Sequence, residues 1–298
     1  MDAIQIISAP SILGLKPTGV EELGNSLLAS GLAEKLGSPY PVINVDSLNH
    51  LYSRKKETET LCLNTAAVRD FSILLGEVVS ATIENNRFPF VLGGDCSILI
   101  GAMPALKAKG EYGLIFFDAH ADFYEPERSV TGELADMDLA IVTGRGPGIV
   151  TNINNLQPYV KDENVIHLGQ RDQEETKAYH SRDIRETAIR CISLAEIERD
   201  GPLLISSRLV NHIKQLDVEG CWIHFDTDVL SDKINPAVDY RLPGGLEFAQ
   251  AEQLLQYLLR TGRISGVSIS IFNPALDENG SVSQNIANSL GRAFDPTR

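Results

Sequence analysis

The sequence predicts an α/β protein built on a mostly parallel sheet of about eight strands, with helices covering both faces. Two observations carry that prediction. Short apolar runs recur along the 298 residues, and segments of helical periodicity separate most of them. The runs are also continuously apolar instead of alternating with polar residues, as expected of strands covered on both sides.

The first run, Ile4–Ser8, reads as a strand, and Glu21–Leu36 follows with helical spacing. Val42–Val45 is the second strand candidate and Thr65–Asn85 the second helix. Phe88–Leu92 leads into Gly93-Gly94-Asp95-Cys96-Ser97. There the glycines permit a tight turn with positive φ, and Ser97 is placed to cap a helix over Ser97–Lys109. Gly113–Phe117, Val165–Leu168 and Cys191–Ser193 read as further strands. The helix Pro202–Leu216 precedes the strand Cys221–Phe225, and Phe248–Arg260 precedes the last strand, Gly266–Ile271. Gly144-Arg-Gly-Pro-Gly148 is a turn-rich loop rather than a boundary. With no internal repeat or low-complexity linker, a single domain over residues 1–298 is expected.

Composition excludes several classes of partner. A net charge of −14 argues against nucleic acid or an anionic membrane surface, and would attract a cationic substrate. Apolar content is 43%, and no stretch is long enough to span a bilayer. Met1-Asp-Ala-Ile-Gln lacks a basic leader, so no signal peptide is expected. Cys62, Cys96, Cys191 and Cys221 form no CxxC pair and no zinc spacing, which suits thiols in a reducing cytoplasm. Cys191 and Cys221 sit in apolar runs and read as small hydrophobes.

Two stretches carry the chemistry: Asp118-Ala-His-Ala-Asp122 and His224-Phe-Asp226-Thr-Asp228. Each follows an apolar strand-like run. If strand geometry continues through them, Asp118, His120 and Asp122 share one face, as do Asp226 and Asp228. Four carboxylates and an imidazole converging there repel one another unless cations hold them. Oxygen-rich ligation with one nitrogen suits manganese or a similar divalent ion, and five such groups suffice for two ions. The bland alternative is that strand-end aspartates only cap the following helices.

Together with Gly93-Gly94-Asp95, these motifs resemble the ureohydrolase family of arginases, agmatinases and formiminoglutamases. The resemblance also takes in Ile6-Ile-Ser-Ala-Pro10, Gly19-Val-Glu-Glu, Pro243-Gly-Gly-Leu246 and Asn273-Pro274. It implies a three-layer α/β/α sandwich, a dinuclear manganese centre and assembly into trimers or hexamers. It implies further that a bridging hydroxide attacks the carbon of a small amidine or guanidine substrate. By the same resemblance Asp118 and Asp226 bridge both ions, Asp122 and Cys96 complete the first, and His120 and Asp228 complete the second. Asp118, Asp122 and Asp226 are therefore also the catalytic candidates.

Departures from the family pattern narrow the expectation. Cys96 stands where most relatives carry histidine, and a thiol there ligates weakly, takes a softer metal or leaves one site underfilled, so the first manganese ion is expected to be held weakly. A branch of the family acting on Nω-hydroxy-arginine resembles this sequence in having cysteine there. Ala135 replaces a histidine that arginases are thought to use as a proton shuttle, and Ser231 an aspartate of the third motif. Gln250 aligns with a glutamate that pairs with the guanidinium, which makes arginine a poor substrate and a less basic amidine a better one. Glu133, Asp172, Glu174 and Gln250 are the substrate-binding candidates, with Asp136 beside Glu133. For Asp172 and Glu174 a solvated loop is the equal alternative. His224 either orients a metal ligand or is a satisfied core histidine, and His167 reads as core. The competing class is an arginase-family protein decayed at Cys96, Ala135 and Gln250 and kept for regulation or assembly. A mononuclear zinc deacetylase is a further alternative.

Overall fold

The computed structural model describes residues 2–45 and 50–295. Its strands are β1 (Ile4–Ser8), β2 (Ile43–Asn44), β3 (Phe88–Leu92), β4 (Tyr112–Phe117), β5 (Val165–Leu168), β6 (Arg190–Ile192), β7 (Gly220–Asp226) and β8 (Ile264–Ser270). Among the described residues they form one sheet in the order β2-β1-β3-β8-β7-β4-β5-β6, and every pairing is parallel. Chain order reverses at the centre, where β7 and β8 fill the gap between β3 and β4. Ligands gather beyond the carboxyl ends of strands at such a point.

The helices are α1 (Leu23–Ala29), α2 (Leu32–Lys35), α3 (Thr65–Glu84), α4 (Leu99–Lys107), α5 (Asp138–Val142), α6 (Gly148–Thr151), α7 (Gln173–Ala178), α8 (Leu194–Asp200), α9 (Pro202–Gln215), α10 (Phe248–Leu259) and α11 (Ser281–Ala293). Alternation along each strand divides the core. Ile6, Phe90, Ile115 and Ile223 pack under α1, α9, α10 and α11, whereas Ile7, Val91, Leu114 and Trp222 pack under α3, α4 and α5. That division is the three-layer α/β/α sandwich implied by the resemblance.

Three sequence expectations are corrected. The single helix expected over 21–36 breaks into α1 and α2, because Gly31 turns left-handed at φ 77°. Ser193 is not the end of a strand; its hydroxyl caps α8 in a reciprocal capping box with Glu196. Ser97 is not the cap after β3 either. Asp95 takes that role, its buried carboxylate accepting Ser97 N–H (2.8 Å), Gly14 N–H (3.1 Å) and the Ser11 hydroxyl (3.0 Å). Gly94 belongs to the same clamp, since a Cβ there would lie 1.9 Å from the Ser11 carbonyl oxygen. Cys96 follows at once and is thereby held rigidly above the sheet.

Candidate metal centre

The Asp118–Asp122 motif does not continue β4. The strand ends at Phe117, and the motif is a loop whose last residue, Asp122, adopts a left-handed φ of 45°. Asp226 closes β7 while Asp228 lies in a short 3₁₀ turn, Thr227–Val229. Convergence of these residues thus comes from loop hydrogen bonds, not from the two-residue period of a strand.

Those bonds share one plan. Asp118 Oδ1 accepts His120 N–H at 2.6 Å, Asp226 Oδ1 accepts Asp228 N–H at 2.7 Å, and Asp228 Oδ1 accepts Ala119 N–H at 3.0 Å. Each carboxylate has one oxygen fixed by a backbone amide and the other turned inward. Asp118 Oδ2 has no partner. Asp226 Oδ2 accepts the Cys96 thiol at 2.8 Å, and Asp228 Oδ2 lies 2.8 Å from His120 Nδ1. Two ligand groups result, Cys96–Asp118–Asp226 and Asp118–His120–Asp228, joined at Asp118. Asp122 lines the same cavity but belongs to neither group.

Without cations the cluster is electrostatically frustrated. Burial and the neighbouring Asp228 push Asp118 up to about 8. Asp122 and Asp226 are held well above the carboxylate range by burial and by the surrounding aspartates. Burial opposes a charge on His120, but Asp228 and Asp118 outweigh it and raise the imidazole. An orphaned buried carboxylate oxygen among inward-facing acids is what a divalent cation would satisfy, so these residues fit a metal centre.

The centre opens into a cavity of about 470 Å³. Glu133, Asp136 and Ala135 line it, as expected from the sequence. Glu133 accepts the Tyr240 hydroxyl at 2.8 Å, and Asp239, also in the lining, is tied by Thr18 (3.1 Å) and Asn273 (3.0 Å). Leu15, Cys96, Ala135 and Ile271 form an apolar wall. Ile271 holds φ 72°, a costly conformation for a β-branched residue, which turns it into that wall.

The other substrate candidates stand elsewhere. Asp172 lies beneath the loop, accepting Ala121 N–H (3.0 Å) and Gln170 Nε2–H (2.9 Å), so it braces the motif instead of facing the cavity. Glu174 is exposed and outside the lining, whereas Glu175, one residue on, is within it. Gln250 is at the start of α10, its side-chain oxygen accepting Glu247 N–H at 2.8 Å, and is absent from the lining. His167 is buried and contacts the His120 carbonyl through Nε2 at 2.7 Å. His224 is buried between the hydroxyls of Ser268 and Ser270 rather than bonded to backbone. Glu175, Asp239, Tyr240 and Ile271 were not legible as site residues. Asp138 was also missed, although a lone acid opening the run Leu139-Ala-Ile-Val142 is a signal in itself.

The arginase family's statistical model matches residues 60–294 of this sequence. The chain belongs to the arginase family. An arginase of Staphylococcus aureus strain MSSA476 is 30% identical to it, over 99% of this chain and 98% of its own. The structure of the arginase from Bacillus caldovelox, 28% identical, aligns with a TM-score of 0.88 over 99% of both chains. Formimidoylglutamase from Bacillus subtilis, 19% identical, shares the fold at a TM-score of 0.76, with 99% of this chain and 86% of that one covered. Family membership makes the chain a metal-dependent hydrolase of carbon–nitrogen bonds in linear amidines, the class its motifs implied. Among the described residues, no helix is long and apolar enough to cross a membrane.

Proposed function

We propose that this hydrolase acts with two manganese ions on a linear amidine less basic than arginine. Asp118 and Asp226 would be shared between the two sites, with His120 and Asp228 serving one and Cys96 and Asp122 the other. The observation that carries the reading is the shared plan of Asp118, Asp226 and Asp228, each with one oxygen fixed by an amide and one turned to a common centre. When bound, the ions supply Lewis acidity, activating water and polarising the amidine.

The protein's own groups do the rest. Backbone amides at Ala119, His120 and Asp228 keep the carboxylates from rotating away. The apolar wall of Leu15, Ala135 and Ile271 lies beside Cys96 and offers no anion to a guanidinium, which favours a weakly basic reacting end. Glu133, Asp239 and Glu175 line the same cavity and suit a cationic group elsewhere on the substrate. The whole chain works as one domain, in a reducing cytoplasm where its four cysteines remain thiols. A trimeric or hexameric assembly completes the reading and rests on the family resemblance alone.

A panel of amidines assayed with added manganese tests it, scoring urea, hydroxyurea, formamide and ammonia separately. Metal-dependent release from a weakly basic amidine, above that from arginine, is expected. Arginine as the best substrate would overturn the assignment of the apolar wall. Turnover in chelated protein would overturn the metal centre.

A further inference from the structure

Asp138 opens α5 and is fully buried, yet its carboxylate has no side-chain hydrogen-bond partner and only the Leu139 amide approaches it. Such a group is rare in a folded protein and destabilising unless something satisfies it. What it faces is His224, whose Nε2 lies 3.8 Å from Asp138 Oδ2 and is itself wholly buried. Cys96 closes a triangle, the three ligand atoms all lying within 4.8 Å of one another.

We propose that Cys96, Asp138 and His224 form a buried site for a thiophilic divalent ion of the zinc type. It shares Cys96 with the proposed active centre but does not depend on the hydrolase reading. One sulfur, one nitrogen and one oxygen are the donors that zinc accepts at three corners of a tetrahedron. Zinc bonds of about 2.0–2.3 Å place neighbouring donors roughly 3.3–3.8 Å apart, so the 3.8 Å separation of His224 and Asp138 needs little change. The Ser270 hydroxyl, 3.1 Å from Cys96 Sγ and 3.2 Å from His224 Nε2, is an oxygen that could take the fourth corner.

The imidazole is prepared for the role. Ser268 Oγ accepts Trp222 Nε1–H at 3.0 Å and lies 2.8 Å from His224 Nδ1. Ligation through Nε2 requires the tautomer with the proton on Nδ1, which the second lone pair of Ser268 Oγ can accept. Stacking on Phe116, with ring centroids 5.0 Å apart and planes at 18°, fixes the ring. A doubly charged ion with one thiolate, one carboxylate and a neutral imidazole is electrically balanced, which lowers the penalty of burying it. Cys96 would in this light serve Asp138 and His224 as well as the active centre.

The test uses the full-length protein stripped of metal and titrated with cobalt(II), whose thiolate charge-transfer band in the near ultraviolet reports ligation by Cys96. The band should appear in the unmodified protein with the first equivalent of cobalt, vanish in Cys96→Ser, and lose most of its intensity at that equivalent in Asp138→Asn and His224→Gln. It should survive in Asp122→Asn. Zinc should raise the melting temperature of the unmodified protein and lose most of that effect in Asp138→Asn, with affinity lower by at least about 100-fold. Asp138→Asn is isosteric, and His224→Gln gives an independent reading should either variant fold poorly. A band that persists in Asp138→Asn and His224→Gln but is lost in Asp122→Asn would assign Cys96 to the active centre alone and overturn the proposal. So would cobalt bound to the unmodified protein without any thiolate band. A protein inactive on every amidine that still shows the band leaves this site standing while the hydrolase reading falls.

Discussion

Cys96 donates its thiol proton to Asp226 Oδ2 across 2.8 Å, joining the turn after β3 to the end of β7. Burial, followed by Asp226 and the acids around it, pushes the thiol well above its ordinary range, so the proton stays on sulfur. Any cation that enters must displace it, and metal uptake is therefore coupled to proton release.

The metal-free protein should lose stability as pH rises. Asp118 is raised to about 8 and Asp136 to about 7, burial leading in both, against an ordinary value of 3.8. At low pH both are protonated in either state and nothing is lost. As pH climbs from about 4 to 8 the unfolded chain ionises first, while the folded chain must hold protons or bury charge. Urea midpoints of chelated protein should fall across that window, and a bound divalent ion should flatten the fall. Midpoints that rise with pH in the chelated protein contradict the buried-acid account.

Asp118→Asn should remove metal and activity together. Asp118 belongs to both ligand groups of the active centre, and the amide preserves shape while removing the charge. Losing even an outer partner costs about 10–100-fold in affinity or activity, so the loss here should exceed about 100-fold. Metal content and amidine turnover measured on one preparation decide it. Two tightly held ions in the variant would refute the bridging role.

Cys96→His should raise manganese occupancy. Imidazole suits manganese better than a thiol does, and the residue lines the open cavity, which leaves room for the ring. Manganese titration of both proteins should show the weaker site tightened. Equal, unchanged affinities would mean that Cys96 is not the weak ligand.

Gln250→Ala should leave the KM for every amidine unchanged and cost about 0.5–1 kcal/mol of stability. Its side chain closes the capping box of α10 with Glu247, and it is not in the cavity lining. A change in KM of tenfold or more would return Gln250 to the substrate site.

The parallel sheet was legible because β3, β4, β5 and β7 must be apolar on both faces, and a run such as Leu114-Ile-Phe-Phe117 has no other economical reading. Gly31 was harder to read, since a left-handed residue inside a periodic stretch leaves the pattern on either side intact. α11 was missed because its polar face, with Gln284 and Asn285 exposed, dilutes a stripe that includes Val282, Ile286 and Leu290.

By itself the sequence determined the class of fold and the acids that gather at one centre, because they cluster in it at the ends of apolar runs and such charges repel one another unless cations hold them. Tertiary structure alone decided what those acids meet. Ile271 reaches the cavity wall through one strained φ, Gln250 is drawn away by a helix cap, and Asp172 is turned under the loop by the Ala121 amide. Asp138 and His224 are 86 positions apart on α5 and β7, as their residue numbers give. No local spacing encodes that approach. It follows from the order in which parallel strands are laid into the sheet, which places β7 beside β4 and beneath the loop that leads to α5.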